Sequence, residues 1–244
     1  MTKKITGKLS ALACALVCTV VFLYGITAKE RPSVETVSQK ISSYPERKIV
    51  TLDPGHGGMD GGCTSVNGVN EKGINLNISN NLKDMLTVMG FDVKCTRTTD
   101  VSIYDEGVKG TRKQKISDMK NRLALFGKYK DGISLSIHQN QFTDSKYSGA
   151  QMFYSEKNPA GERLAACMQK QFVNNLQPEN KRETKPVGDE LFLLNNTSNP
   201  AVMIECGFLS NPEEAAKLES EDYQRQVSFT IMTGVFEYFA ENPD

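Results

Sequence analysis

IVTLDPGHGGMDGG, residues 49–62, is a short apolar strand that runs straight into a turn holding five glycines between Gly55 and Gly62. Glycines at that density cannot fill a core, but they let a backbone bend sharply and come close to a ligand or an ion. Within the turn stands His56, one of only two histidines in the chain. From this stretch alone His56 has two readings, a polar turn residue after an edge strand or a metal ligand. The segments that follow decide between them and set the fold.

Residues 48–53 read as the first strand. From Glu71 to Met89, Ile74, Ile78, Leu82, Met85 and Met89 recur every three or four positions, the spacing of one apolar helix face, and Gly90 ends the run. Phe91, Val93 and Cys95 alternate with polar residues as a half-buried strand; residues 98–111 are a polar loop; Ile116, Met119, Leu123 and Phe126 mark a second amphipathic helix. A third strand carries Ile133, Leu135 and Ile137, and a fourth covers Gly149 to Tyr154. Asn158-Pro159 opens a helix with Leu164, Met168 and Phe172, and residues 176–189 form another polar loop. Leu191–Leu194 and Ala201–Glu205 are expected as two more strands. Asn211-Pro212 starts a short helix, and Tyr223, Val227, Ile231, Val235 and Phe239 stripe a last one. Alternating strands and helices imply a single α/β domain with about six strands in a mostly parallel twisted sheet, covered by helices on both faces.

The 244 residues are 39% apolar and 24% charged, ordinary for a globular chain, with 29 basic and 29 acidic side chains. No basic stripe interleaved with aromatics occurs, which argues against a nucleic-acid partner. Cys63, Cys95, Cys167 and Cys206 contain no C-x-x-C pair, so a cysteine zinc knuckle is excluded and mostly free thiols are expected. Lys3, Lys4 and Lys8 precede an uncharged run from Leu9 to Ile26. At 1.5 Å per residue that run spans roughly 27 Å, enough for a tilted bilayer crossing. Residues 1–28 are therefore expected as an uncleaved membrane anchor with its lysines inside. Residues 29–46 are expected as a tether, and 47–242 as the catalytic domain outside the membrane, in the cell envelope.

Three polar residues close strands: His56 after the first, His138 at the end of GISLSIH, and Glu205 at the end of AVMIE. In an open α/β sheet the carboxyl edge is where ligands bind, so these residues can meet in space. A catalytic Zn2+ wants three protein ligands, commonly two histidines and a carboxylate. His56 and His138 supply the pair, and Glu71, in the first turn of the helix after the glycine loop, is the natural third. Glu205 is then left to accept a proton from an attacking water. Asp53 is placed to fix a histidine tautomer by accepting its second ring N–H, and Asn140 is expected beside it as supporting polarity. Competing readings are a hydrogen-bonded core histidine at His138, a dipole-stabilised helix acid at Glu71, and a cysteine hydrolase using Cys206 with His138.

Taken together, LDPGHGGMDGG at 52–62, EKGINL at 71–76, SLSIHQN at 134–140 and IECGFLSN at 204–211 resemble the zinc-dependent N-acetylmuramoyl-L-alanine amidase family over the whole soluble domain. The resemblance implies a six-stranded sheet and a Zn2+ held by His56, Glu71 and His138, with Glu205 as acid/base. It implies hydrolysis of the amide between N-acetylmuramic acid and L-alanine in peptidoglycan. DEGVKG at 105–110, YSGAQMFYS at 147–155 and EYFAEN at 237–242 look most like the spore-cortex members. Those members strip stem peptides so that a deacetylase can form muramic-δ-lactam; the vegetative wall amidases are the alternative. Gln139, Gly127 and Cys206 depart from the common family pattern. No wall-binding repeats are present, so the tether or an accessory protein is expected to supply localisation.

Overall fold

The computed structural model describes residues 47–242; the expected anchor and tether lie outside the described residues. Among the described residues no helix is long and apolar enough to cross a membrane. Six strands form one sheet in the order β2-β1-β3-β6-β4-β5. They are β1 (Ile49–Pro54), β2 (Asp92–Cys95), β3 (Ile133–Asn140), β4 (Gln151–Ser155), β5 (Lys185–Val187) and β6 (Ala201–Phe208). β2, β1, β3 and β6 run parallel, whereas β4 lies antiparallel to β6 and carries β5 parallel to itself.

The helices are α1 (Glu71–Val88), α2 (Thr111–Phe126), α3 (Pro159–Asn175), α4 (Phe192–Asn196), α5 (Pro212–Leu218) and α6 (Glu221–Glu241). On one face α1, α3 and α6 pack against Val50, Leu52, Leu135, Ile137, Val202 and Ile204. Fully buried side chains such as Leu82, Leu135 and Phe172 stabilise the domain by about 1.5–3 kcal/mol each. The opposite face, under α2 and α4, holds a smaller cluster around Phe126, Leu193 and Leu194. As expected from their Asn-Pro signatures, Asn158 and Asn211 cap α3 and α5, their side chains accepting from Gly161 N and from Glu213 N and Glu214 N. Gly90 takes φ 93° after α1, a left-handed conformation that a residue with a Cβ adopts at a cost.

Two expectations need correction. Leu191–Leu194 is not a strand: Phe192–Asn196 is a helical turn, and the strand that completes the sheet is β5, Lys185–Val187, inside the stretch expected as loop. A four-residue apolar run has no periodicity to separate strand from helix, and a three-residue edge strand leaves almost no pattern. The second correction concerns α2. Of its expected stripe Met119, Leu123 and Phe126 do face the core, but Ile116 is 48% exposed and Arg122, 3% exposed, is buried instead. The sheet beneath α2 presents Thr51, Asp53, Ser134 and Ser136, all buried. A polar floor draws the arginine inward rather than the isoleucine.

Candidate metal centre and active site

β1, β3 and β6 end at one edge of the sheet. In their ladders Asp53 pairs with Ser136, and His138 pairs directly with Glu205. Asn140 pairs with Phe208, so β6 holds one more residue than β3 over this step, a bulge that turns Glu205 and Phe208 to the same side. The glycine turn brings His56 back over this edge with φ 62°, an unusual left-handed conformation for a side-chain-bearing residue. α1 is stitched to the same turn through its backbone, Glu71 N to Cys63 O at 2.9 Å and Lys72 N to Gly61 O at 3.1 Å, which aims the Glu71 carboxylate inward.

His56, Glu71 and His138 therefore converge, with potential ligand atoms all within 4.8 Å of one another. His56 Nε2 lies 3.2 Å from one Glu71 oxygen and His138 Nδ1 lies 2.9 Å from the other. Two imidazoles and a carboxylate are a donor set that suits a divalent first-row metal. Burial alone would lift the Glu71 pKa, but hydrogen bonds from His138 and His56 hold it well below the usual carboxylate range. The carboxylate also accepts from Cys63 N, Gln139 N and Asn75 Nδ2. Glu71 is thus no ordinary helix-start acid. The Gln139 side chain donates to Asn75 Oδ1, so this departure from the family pattern braces the residue behind Glu71.

Glu205 stands across the ladder from His138. Its Oε2 is buried and has no hydrogen-bond partner among the described residues. Burial pushes its pKa up to about 7, with His138 opposing and the Glu71 charge adding to the rise. That poises the carboxyl between its two protonation states near neutral pH. A cleft of about 200 Å³ adjoins His56 and His138, walled by Leu191, Phe192 and Met203.

Asp53 is not the tautomer-fixing acceptor: it accepts from Thr96 Oγ1, Ser136 Oγ and Arg122 Nη1, and from neither histidine. Its side chain points under α2, toward Arg122, while Asp60 in the glycine turn reaches His56 Nδ1 at 3.3 Å and also pairs with Lys115. Asn140 contributes through its backbone, its carbonyl accepting from Leu209 N at 2.8 Å and tying β3 to the turn after Glu205. The cysteine-hydrolase alternative fails. Cys206 is fully buried, its thiol pKa is pushed up by burial, and it faces the helix layer of α1, α3 and α6 rather than His138.

Two arginines escaped the sequence reading. Arg122 Nη2 donates to His56 O at 2.7 Å and its Nη1 to Pro54 O at 3.0 Å; Arg97 donates to Pro54 O and Gly55 O at 3.0 and 2.8 Å. They clamp the carbonyls of the turn that presents His56 and so maintain its left-handed backbone. No short motif marks such a clamp, since its donors come from β2's end and the middle of α2.

Two glycines have a steric reason. A Cβ on Gly55 would lie 2.2 Å from His138 Cε1, and one on Gly62 would lie 2.5 Å from a Glu71 oxygen. Gly55→Ala is expected to push the His138 ring aside and weaken metal binding by roughly 10–100-fold, the range typical of lost support for a ligand. Competition with a chromophoric chelator reads this directly. Unchanged affinity in the folded variant would show that the ring has room to move.

The model of the N-acetylmuramoyl-L-alanine amidase family matches residues 50–237. The germination-specific N-acetylmuramoyl-L-alanine amidase of Bacillus subtilis (strain 168) is 37% identical over 197 residues, 81% of this chain and 82% of its own length. Among solved structures, the CwlD amidase from Clostridioides difficile, in complex with the GerS lipoprotein, superposes with a TM-score of 0.77 at 36% identity, covering 80% of this chain and all of that one. An N-acetylmuramoyl-L-alanine amidase from Clostridium difficile 630 superposes with a TM-score of 0.69 at 30% identity, over 80% of this chain and 97% of that one. With a sheet edge that gathers two histidines and two glutamates where the sequence motifs lie, the chain belongs to the N-acetylmuramoyl-L-alanine amidase family and is an amide hydrolase of that class.

Proposed function

We propose that the protein is a zinc-dependent amidase that cuts the stem peptide from N-acetylmuramic acid in spore-cortex peptidoglycan. The carrying observation is the convergence of His56, Glu71 and His138 within 4.8 Å, with Glu205 paired beside them. Zn2+ held by these three side chains would polarise the scissile carbonyl and make a water easier to deprotonate. Glu205 takes the proton of the attacking water and returns it to the departing alanine amine, a role that its raised pKa of about 7 suits in both directions. Asp60 holds the outer nitrogen of His56, and Arg97 and Arg122 hold the backbone of its turn, so that its inner nitrogen stays beside the Glu71 carboxylate, where both could hold a metal. Leu191, Phe192 and Met203 give the cleft a dry wall.

The germination-specific activity named for the Bacillus relative supports the spore-cortex substrate. The complex in which the Clostridioides relative was solved supports an accessory protein as partner. A membrane anchor over residues 1–28 followed by a tether over 29–46, as expected from the sequence, would fit a wall substrate. Muropeptides incubated with the zinc-loaded protein are expected to yield free peptides that begin with L-alanine. A chelator abolishes this release and added Zn2+ restores it. Intact muropeptides, or cleavage indifferent to the chelator, would count against the reading.

A further inference from the structure

A larger cavity, about 840 Å³, opens at the start of β4, bordered by Tyr147, Gly149, Arg182 and Lys217 together with the carboxylates Glu179, Glu213 and Glu214. Arg182 ties this cavity to the catalytic face. Its Nη1 donates to Gln151 Oε1 at 2.6 Å and its Nε to Ser148 O at 3.0 Å. The guanidinium lies over the Phe208 ring at 4.6 Å and the Tyr147 ring at 6.0 Å. Gln151 is the direct cross-strand partner of Glu205, and Phe208 is turned to the Glu205 side by the bulge. Paired Cα atoms in such a ladder are about 5 Å apart, so the guanidinium sits on the order of 10 Å from the Glu205 carboxyl.

The partners of Arg182 are unusual in one respect. Both acceptors are neutral amide oxygens, and among the described residues no carboxylate pairs with it. Glu214, whose charge it feels, gives its two oxygens to Gly149 N and Phe208 N. A guanidinium packed over these rings and bonded only to neutral acceptors has no carboxylate partner, and its Nη2 keeps both donors for a ligand.

We propose that Arg182 anchors a carboxylate of the leaving stem peptide and so sets the direction in which substrate lies across Glu205. The inference rests on the amidase reading, because only that reaction places a peptide on one side of the scissile bond and a glycan on the other. The muramoyl half carries no charge where its carboxyl is tied up in the amide, whereas the peptide half bears free carboxylates. At about 3.5 Å per extended residue, Arg182 reaches a carboxylate on the second or third residue beyond the cut. A guanidinium that is already positioned and offers both Nη2 hydrogens suits that group better than a flexible lysine would.

Glu205→Gln protein loaded with Zn2+ permits equilibrium binding without turnover, so calorimetry can compare two probes. One is a muramoyl tripeptide with its peptide carboxyls free, and the other carries them as primary amides. The Glu205→Gln protein is expected to prefer the free acid by at least about tenfold, in keeping with a charge-assisted pair. Adding Arg182→Gln brings the ratio close to one, and adding Arg182→Lys leaves it several-fold below the Glu205→Gln value. A role for Arg182 in merely pinning the 147–151 segment would weaken both probes alike and leave the ratio unchanged. An unchanged ratio in either double variant overturns the assignment, as does equal binding of the two probes before Arg182 is altered. Hydrolysis by the wild-type protein reports separately on the amidase reading itself.

Discussion

Glu205→Gln is expected to lower turnover of a muramoyl peptide by roughly 10²–10⁴-fold, the span that positioned acid/base groups contribute, while metal content stays at the wild-type level. Glutamine keeps the size of the side chain but can neither take a proton from water nor pass one to the alanine nitrogen. The carboxyl sits beside the three side chains proposed to hold the metal without belonging to them: its Oε2 is buried and, among the described residues, unpartnered, whereas both Glu71 oxygens are engaged by histidines. Glu71→Gln should show the opposite division, with metal lost first and activity falling as a consequence. Steady-state kinetics alongside metal analysis separates the two variants. A Glu205→Gln protein that retains full turnover would remove Glu205 from the mechanism.

The second large effect is on stability. Asp53→Asn is expected to cost about 3 kcal/mol, because it removes the more deeply buried of the two carboxylates that pair with Arg122 and leaves only Asp118. Asp53 and Arg122 are 1% and 3% exposed and lie 2.6 Å apart. Burial works against the ionised form of Asp53, but the Arg122 guanidinium and the Thr96 and Ser136 hydroxyls outweigh it and hold the pKa below the ordinary value. A carboxyl whose folded pKa is depressed stabilises the fold above its unfolded pKa of about 3.9, and that contribution is lost as pH falls through the still lower folded value. Urea unfolding should therefore show wild type and variant well separated at neutral pH and converging only below about pH 4. A neutral-pH difference under about 1 kcal/mol would mean that Asp118 alone satisfies the buried arginine. The same substitution should loosen the His56 turn, whose carbonyl is held by Arg122.

Much of the site was legible beforehand because its groups stand where strands stop. His56, His138 and Glu205 each follow an apolar strand, and Glu71 opens a strongly periodic helix; strand ends and helix starts are the positions that periodicity locates best. Asp53 was misjudged for a related reason. Its nearness to His56 in sequence suggested a partner, but alternation along β1 sends the side chain under α2, and the partner of the histidine came from the bend at Asp60. Arg97, Arg122 and Arg182 left no readable signal, since each acts through carbonyls, rings or amides brought from distant segments.

By itself the sequence determined the α/β class, the strand-end placement of two histidines and Glu205, the helix-start placement of Glu71, the helix caps and the family. These follow from local periodicity, turn chemistry and motif spacing, which are properties of neighbouring residues. Only the tertiary structure decided that α2 buries Arg122 rather than Ile116, that Leu191–Leu194 turns into helix, that the His56 turn is clamped by two buried arginines, and that Arg182 bonds Gln151, the cross-strand partner of Glu205. Those outcomes depend on what the opposite surface offers. A polar sheet floor, a bulge in β6 and an aromatic shelf become partners only once segments far apart in the chain are packed together.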